Sequence, residues 1–348
     1  MVKAKAKMNR IEIEGLYGKS TVIIGETLEN VGNYIPNSNV FIITDENVKA
    51  YHGEKFPKHP TYCVEPGEES KSLEVCGVLY QWLLEMGADR NSFILGVGGG
   101  VVCDLAGFVA STFMRGVDFG FVATSLLAQV DASVGGKNGV NLNGYKNIVG
   151  TFTQPKFVIC DINLLSTLPQ DEYLNGFAEI VKHTLIADAE MFNFIEQNID
   201  ELKTFNPTIL DRLVTHSVKI KAAIVQSDER EKGERKKLNL GHTWGHAVEK
   251  ETGLSHGKSV SIGLEFAARF SVAKGLLENR DYMRLMNILR DLELPICIKV
   301  NPTRIFETLT KDKKKTVDSI DFIFMKGIGE VVIEKITLKE IQNFIEHR

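Results

Sequence analysis

The sequence predicts an α/β chain: a mostly parallel sheet with helices on both faces in its N-terminal part, and a mainly helical C-terminal part. Three observations predict it. Short apolar runs alternate with segments of helical period up to about residue 161, one of those runs leads straight into three glycines, and beyond residue 161 nearly every segment carries the helical period.

The elements follow in order. Val22-Ile23-Ile24 and Val40-Phe41-Ile42-Ile43-Thr44 are apolar runs bounded by turn residues and read as buried strands, with residues 61–64 as a third. Residues 73–86 place apolar side chains on a helical period. Phe93-Ile94-Leu95-Gly96-Val97 is a strand running into Gly98-Gly99-Gly100, and a helix follows over 101–112. Residues 119–123 and 157–160 complete the alternation, which implies a mostly parallel sheet. Helices are expected over 170–186, 191–198, 209–225, 242–252, 257–274 and 280–291. A late pair, 322–325 and 330–333, flanks Lys326-Gly327-Ile328-Gly329 and reads as a hairpin. No repeat or linker of biased composition interrupts the chain. Two closely packed domains are therefore expected, 1–161 and 162–348, with 155–161 as the crossing and a cleft between them as the default binding site.

The 348 residues are 43% hydrophobic and 25% charged, the balance of an ordinary globular protein. A net charge of -4 argues against a nucleic-acid partner, so any anionic ligand must be met by a local cluster of Lys and Arg. The five cysteines form no CxxC pair and read as reduced thiols of a cytoplasmic protein. The basic N-terminus lacks an apolar stretch behind it, so no secretory signal is expected, and no run is long enough to cross a bilayer.

Four segments carry chemistry. Gly96-Val97-Gly98-Gly99-Gly100-Val101 ends a strand and opens a helix, where glycines admit a pyrophosphate to the backbone and the helix N-terminus offers free N–H groups. It lacks the third glycine of GxGxxG; the bland alternative is a plain strand-to-helix turn, and nucleotide binding is the favoured reading. Asp45, at the end of an early strand, is placed to accept hydrogen bonds from a ribose. Asp131-Ala132-Ser133-Val134-Gly135-Gly136-Lys137-Asn138-Gly139 is a second glycine-rich loop, with Lys146-Asn147 close behind. Small residues beside an ammonium suit a phosphate, although single lysines are more often solvated.

Glu179 and Lys182 lie three apart on one helix. A surface ion pair there would contribute about 0.2–0.5 kcal/mol; a carboxylate metal ligand with an ammonium beside it is the sharper reading. The decisive window holds His242, His246 and His256. Four residues separate the first two, one helical turn, and a glycine-containing turn precedes the third. A single histidine would be read as a packing residue; three together imply a divalent metal, zinc first, and spacing alone names His242 and His246 as ligands. The charge runs 228–231 and 311–315 read as solvated loops, and Lys219, Lys221 and Arg235 carry no signal by themselves.

Taken together, GVGGGVVCDLAGF, FMRG, SLLAQVDASVGGK, YKNIVG, TLPQDEYLNGFAEIVKH, SDERE, LNLGHTWGHAVE, SHGKSVSIG and KDKK resemble, in order, the motifs of the 3-dehydroquinate synthases, of the sugar-phosphate cyclase group. The resemblance implies an NAD-binding α/β domain over 1–161 and a helical metal- and substrate-binding domain over 162–348. It implies Glu179, His242 and His256 as ligands of zinc, or cobalt in its place, and turns His246 into a substrate-facing group that transfers protons. It implies NAD contacts from Asp45, Glu68, Lys71, Gly99, Gly100, Val101, Asp104, Thr124 and Ser125. Asp131, Lys137 and Lys146 would lie toward the nicotinamide and substrate, and Thr167, Leu168 and Glu172 toward the adenosine. The substrate's anionic groups would be met by Lys137, Asn147, Lys182, Lys221, Arg235, Asn239, His246 and either Lys313 or Lys314. Arg115 would be lent across a homodimer interface. The chain departs from the usual family residues at Cys103, Ser125, Ala132 and Tyr145.

The implied reaction converts 3-deoxy-arabino-heptulosonate 7-phosphate to 3-dehydroquinate and phosphate. A hydride leaves C5 for NAD and later returns, phosphate is eliminated in between, and the opened ring closes by an intramolecular aldol step, with no net redox change. Rival readings are a metal-dependent NAD alcohol or polyol dehydrogenase, which would accumulate NADH, a sister cyclase on another sugar phosphate, and a non-catalytic nucleotide-binding regulator. Neither nucleic acid nor membrane is an expected partner.

Overall fold

The computed structural model describes residues 8–16, 18–313 and 319–346, with the side chains of 311–313 outside that set. The elements in chain order are β1 (Asn9–Gly15), β2 (Gly18–Ile24), β3 (Val40–Asp45), α1 (Glu46–His52), β4 (Thr61–Val64), α2 (Leu73–Glu85), β5 (Phe93–Gly98) and α3 (Gly100–Thr112). They continue with β6 (Asp118–Ala123), β7 (Lys137–Leu142), β8 (Tyr145–Phe152), β9 (Phe157–Cys160), α4 (Gln170–Ala187), α5 (Ala189–Gln197), α6 (Ile199–Lys203) and α7 (Pro207–Ser227). The last are α8 (His242–Thr252), α9 (His256–Ala273), α10 (Asn279–Asp291), α11 (Pro302–Lys313), β10 (Ser319–Gly327), β11 (Glu330–Thr337) and α12 (Leu338–Glu346).

Seven strands form one sheet in the order β1-β2-β9-β6-β5-β3-β4. Only β1 and β2 pair antiparallel; the other neighbours are parallel. β3, β5 and β9 are buried along their whole length. Successive side chains of a strand point to opposite faces, so both faces of the sheet are covered, as the continuous apolar runs predict. One face is packed by Ile23, Val40, Ile42, Leu95, Val97, Val122 and Ile159, each contributing about 1.5–3 kcal/mol if fully exposed on unfolding. Phe93 stacks on Phe157 at 6.0 Å across this layer.

The sheet reverses its building direction between β3 and β5, since β4 follows on one side and β6 on the other. Ligands of open α/β sheets bind outside the carboxyl ends of the strands at such a reversal. Those ends carry Asp45 on β3 and Gly98-Gly99-Gly100 after β5. A Cβ on Gly98 would lie 2.4 Å from that of Val102, so the strand-to-helix turn admits only glycine there.

The segment after Asp131 corrects the loop reading. Lys137 opens β7, which pairs with β8 as a separate hairpin. Asn143 (φ 50°) and Gly144 (φ 77°) supply the two left-handed residues that a tight hairpin turn requires.

Two compact units emerge, Met1–Tyr173 with Pro207–Glu229, and Leu174–Asn206 with Arg230–Arg348. This grouping differs from the expected division at residue 161, and the expected crossing at 155–161 contains β9, inside the first unit. The largest difference is α7, which lies against β1 and β2 and carries Lys221 to Asp131 at 2.6 Å. A helix's period shows that it has a buried face, not which element covers that face.

In the second unit α8 and α9 cross closely. A Cβ on Gly263 would lie 1.9 Å from the Gly241 carbonyl oxygen, and one on Gly245 would lie 2.9 Å from that of Ser259. The β10–β11 hairpin packs on α9 through an aromatic layer, with Phe270 5.5 Å from Phe322 and 5.1 Å from Phe324, while Phe344 of α12 stacks on Phe270 and Trp244 of α8 on Phe266, both at 4.2 Å.

Candidate functional site

In the second unit three elements bring their polar groups to one point. α4 supplies Glu179, the first residue of α8 is His242, and the first residue of α9 is His256. Gly257 permits this approach: a Cβ there would lie 1.9 Å from the Asn175 carbonyl oxygen of α4. Asn175 Oδ1 then accepts from Ser255 Oγ at 2.9 Å and from Lys258 N at 3.1 Å, which pins the start of α9 to α4.

One ligand atom each from Glu179, His242 and His256 lies within 4.8 Å of the others. Glu179 Oε1 stands 3.2 Å from His256 Nε2 and 3.5 Å from His242 Nε2. A tetrahedral ion with ligands at about 2.0–2.1 Å has ligand–ligand edges of about 3.3–3.4 Å, so this carboxylate and two imidazoles fit a zinc-sized cation with a position left for substrate. His246, which the i,i+4 spacing pairs with His242, has its ring 5.0 Å from that of His242 and belongs to a second group with Glu249 and His256. Spacing put two histidines on one face; it could not show that the carboxylate comes from a helix some sixty residues earlier.

Electrostatics favours a charged carboxylate here. Burial opposes ionisation of Glu179, but the Lys182 ammonium, in contact with it, and then His242 and His256 hold its pKa well below the usual range. Burial, then Lys182, pushes His242 well below the ordinary imidazole value, so it is neutral and can ligate. For His256 burial is outweighed by hydrogen bonds to Glu179 and Glu249, and the pKa rises to about 9. His246 reaches solvent, yet the protein crowded around its ring, followed by His256, lowers its pKa to about 4.

The same unit places Lys182 (1% exposed) and Arg235 (2% exposed) as buried cations, the latter in the short helical turn Glu234–Asn239. Asn239 closes that turn, and its Nδ2 donates to Glu231, which the sequence reading places only in a solvated charge run. Lys313 ends α11 with its side chain outside the described set, and Lys314 lies outside the described residues.

The first unit gathers the other predicted residues at the carboxyl end of its sheet. Asp45 caps α1, its Oδ1 accepting from Val48 N at 2.9 Å, so it has a structural duty besides any ligand. The Thr124 amide donates to the Gly98 carbonyl at 2.9 Å, and a Cβ on Gly99 would meet Ser125 Oγ at 3.3 Å. Gly100 and Val101 form the first turn of α3, half-buried, with Asp104 one turn on. Lys71 is buried and pairs with Asp104 at 2.5 Å; burial pushes the Asp104 carboxyl up against the opposing ammonium. Glu68 Oε1 lies 3.9 Å from Lys146 Nζ. Asp131 holds Lys221 through both its carboxylate and its carbonyl oxygen. Lys137, Lys146 and Asn147 are exposed on the β7–β8 hairpin.

Thr167 sits on the turn after β9, its hydroxyl 2.9 Å from His52 of α1; half-buried Leu168 and exposed Glu172 follow. Arg115 is not brought to this end. It lies beyond the C-terminus of the 13-residue helix α3, about 20 Å from the Gly99 turn at 1.5 Å per residue. Arg115 (φ 71°) and its neighbour Met114 (φ 47°) are both left-handed, which costs roughly 1–3 kcal/mol each.

The fold is that of the sugar-phosphate cyclases. A solved structure of 2-deoxy-scyllo-inosose synthase complexed with carbaglucose-6-phosphate, NAD+ and Co2+ is similar with a TM-score of 0.87 at 27% identity, covering 97% of this chain and 100% of that one. A 2-epi-5-epi-valiolone synthase from Streptomyces hygroscopicus subsp. jinggangensis 5008, with NAD+ and Zn2+ bound, shares the fold with a TM-score of 0.86 at 24% identity, covering 96% and 98%. Within that class the chain belongs to the 3-dehydroquinate synthase family. Residues 61–175 match the model of the N-terminal domain and 176–315 that of the C-terminal domain. The 3-dehydroquinate synthase of Dehalococcoides mccartyi (strain CBDB1) is 41% identical over 328 residues, 91% of each chain.

Proposed function

We infer that the chain is an NAD- and divalent-metal-dependent phosphorus–oxygen lyase, converting 3-deoxy-D-arabino-heptulosonate 7-phosphate to 3-dehydroquinate and phosphate, a step toward aromatic amino acids. The convergence of Glu179, His242 and His256, in a member of this family, carries the reading. Bound NAD supplies a hydride acceptor restored within each turnover, and the metal supplies a Lewis acid for vicinal hydroxyls. Glu179, His242 and His256 hold that metal; Asp45, Glu68, Lys71, Asp104, Thr124, Ser125 and the Gly99–Gly100–Val101 turn receive the dinucleotide.

The substrate carries a carboxylate and a phosphate. Lys137, Asn147, Lys182, Lys221, Arg235 and Asn239 neutralise and orient them by charge-assisted hydrogen bonds. The low pKa of His246 keeps its ring neutral at pH 7, so an imidazole nitrogen is free to take a proton and return it, directly or through water. Arg115 serves the site of a second copy in a homodimer. Its place about 20 Å along α3 from its own Gly99 turn supports a role outside its own chain. Among the described residues no helix is long and apolar enough to cross a membrane; a cytoplasmic location accords with the reduced thiols.

The test is to supply the heptulosonate phosphate with NAD and zinc. Equal amounts of phosphate and 3-dehydroquinate without accumulating NADH are expected. Stoichiometric NADH would instead indicate a dehydrogenase.

A further inference from the structure

The two histidines near Glu179 are anchored differently. His242 Nδ1 lies 3.2 Å from the Leu240 carbonyl oxygen. A carbonyl only accepts, so Nδ1 carries the hydrogen and the lone pair of the neutral ring sits on Nε2, the nitrogen that faces Glu179. His256 also turns Nε2 toward Glu179, but among the described residues no backbone carbonyl meets its Nδ1. The group there is the carboxylate of Glu249, with Oε2 at 3.5 Å. Glu249 is 9% exposed, on α8 seven residues after His242.

We propose that Glu249 is a positioning residue for the metal centre: it accepts the Nδ1 hydrogen of His256 and so presents Nε2, in the same tautomer that the Leu240 carbonyl imposes on His242. The proposal rests on Glu179, His242 and His256 being the ligands. Outer carboxylates of this kind fix ring orientation and raise ligand basicity. The same geometry admits a competing role, because His246, Glu249 and His256 also place ligand atoms within 4.8 Å. A cation there would take Nδ1 of His256 and Glu249 itself as ligands. It would also depend on the exposed His246 ring, whereas the Glu179 group has both Nε2 atoms converging on one fully buried oxygen.

The experiment uses the full chain with zinc removed by chelation and then titrated back against a chromophoric competitor, for wild type, E249A, E249Q and E179Q. E249A is expected to raise the zinc Kd about 10- to 100-fold with one zinc per chain retained. E249Q, whose amide oxygen still accepts from Nδ1, should recover most of that loss and stands in if E249A fails to fold. Thermal unfolding of the zinc-free chains should hardly change, which a merely structural Glu249 would not allow. Zinc affinity within twofold of wild type in both Glu249 variants, alongside zinc loss in E179Q, overturns the proposal. Loss of the bound zinc equivalent from a folded E249Q also overturns it, since Glu249 would then be a ligand. Wild-type affinity in E179Q would instead show that the ligand assignment fails.

Discussion

Asn141 donates through Nδ2 to Glu68 Oε1 at 2.8 Å while its Oδ1 accepts from the Asn147 amide at 2.9 Å. Its own amide donates to the Lys71 carbonyl, also at 2.8 Å. One side chain on β7 thus ties Glu68, proposed for NAD, to Asn147, proposed for substrate, and holds Asn147 in its left-handed conformation (φ 53°), while the Lys71 link is through the backbone. Side-chain hydrogen bonds contribute about 1 kcal/mol each. N141A should therefore weaken NAD binding and raise the KM for the sugar phosphate by about fivefold each. Steady-state kinetics with each ligand varied in turn checks this; unchanged constants would break the link.

Close crossing of α8 and α9 sets the spacing of His242 and His256. G263A would put a Cβ 1.9 Å from the Gly241 carbonyl, which neither backbone can relieve cheaply. Overpacking of this kind costs typically 1–3 kcal/mol. Urea unfolding should show a loss of about 3 kcal/mol, with zinc content falling in the protein that remains folded. A G263A chain as stable as wild type would mean that the helices can separate freely.

His52 is buried against Thr167, and burial, then the Lys55 charge, lowers its pKa from the ordinary value. The unfolded imidazole titrates near about 6.5. Between that value and the lower folded pKa the unfolded chain binds more protons, so His52 makes stability fall as pH drops below about 6.5. H52Q keeps a hydrogen-bonding partner for Thr167 without a titrating ring. The drop in urea midpoint from pH 7.5 to 5.5 should be smaller in H52Q than in wild type; equal drops would remove His52 from the account.

Much of this was legible in the sequence where local pattern and tertiary outcome agree. The runs at 40–44 and 93–97 are buried on both faces, so their apolar continuity names them as strands, and α8 begins at His242 as its period predicts. β1 carries a signal in the alternation of Ile11 and Ile13 with charged residues, and the β7–β8 hairpin carries one in its Asn143-Gly144 turn, but the sequence reading uses neither and takes 131–139 as a glycine-rich loop. Those signals were present. Other features had no local signal. Nothing in the period of α7 assigns it to β1 and β2, and nothing near Glu249 marks it as facing His256. The ligand set came from the family resemblance, because the spacing rule names His246 beside His242 and gives no reason to prefer His256.

The central claim is that Glu179, His242 and His256 hold the metal on which phosphate elimination depends. The most direct test measures bound zinc and phosphate release together, on wild type and E179Q, after adding zinc, NAD and the heptulosonate phosphate. Wild type should hold one zinc per chain and release phosphate, whereas folded E179Q should lose most of its zinc and release almost none. An E179Q chain that keeps a full zinc equivalent, or releases phosphate at the wild-type rate, would contradict the account.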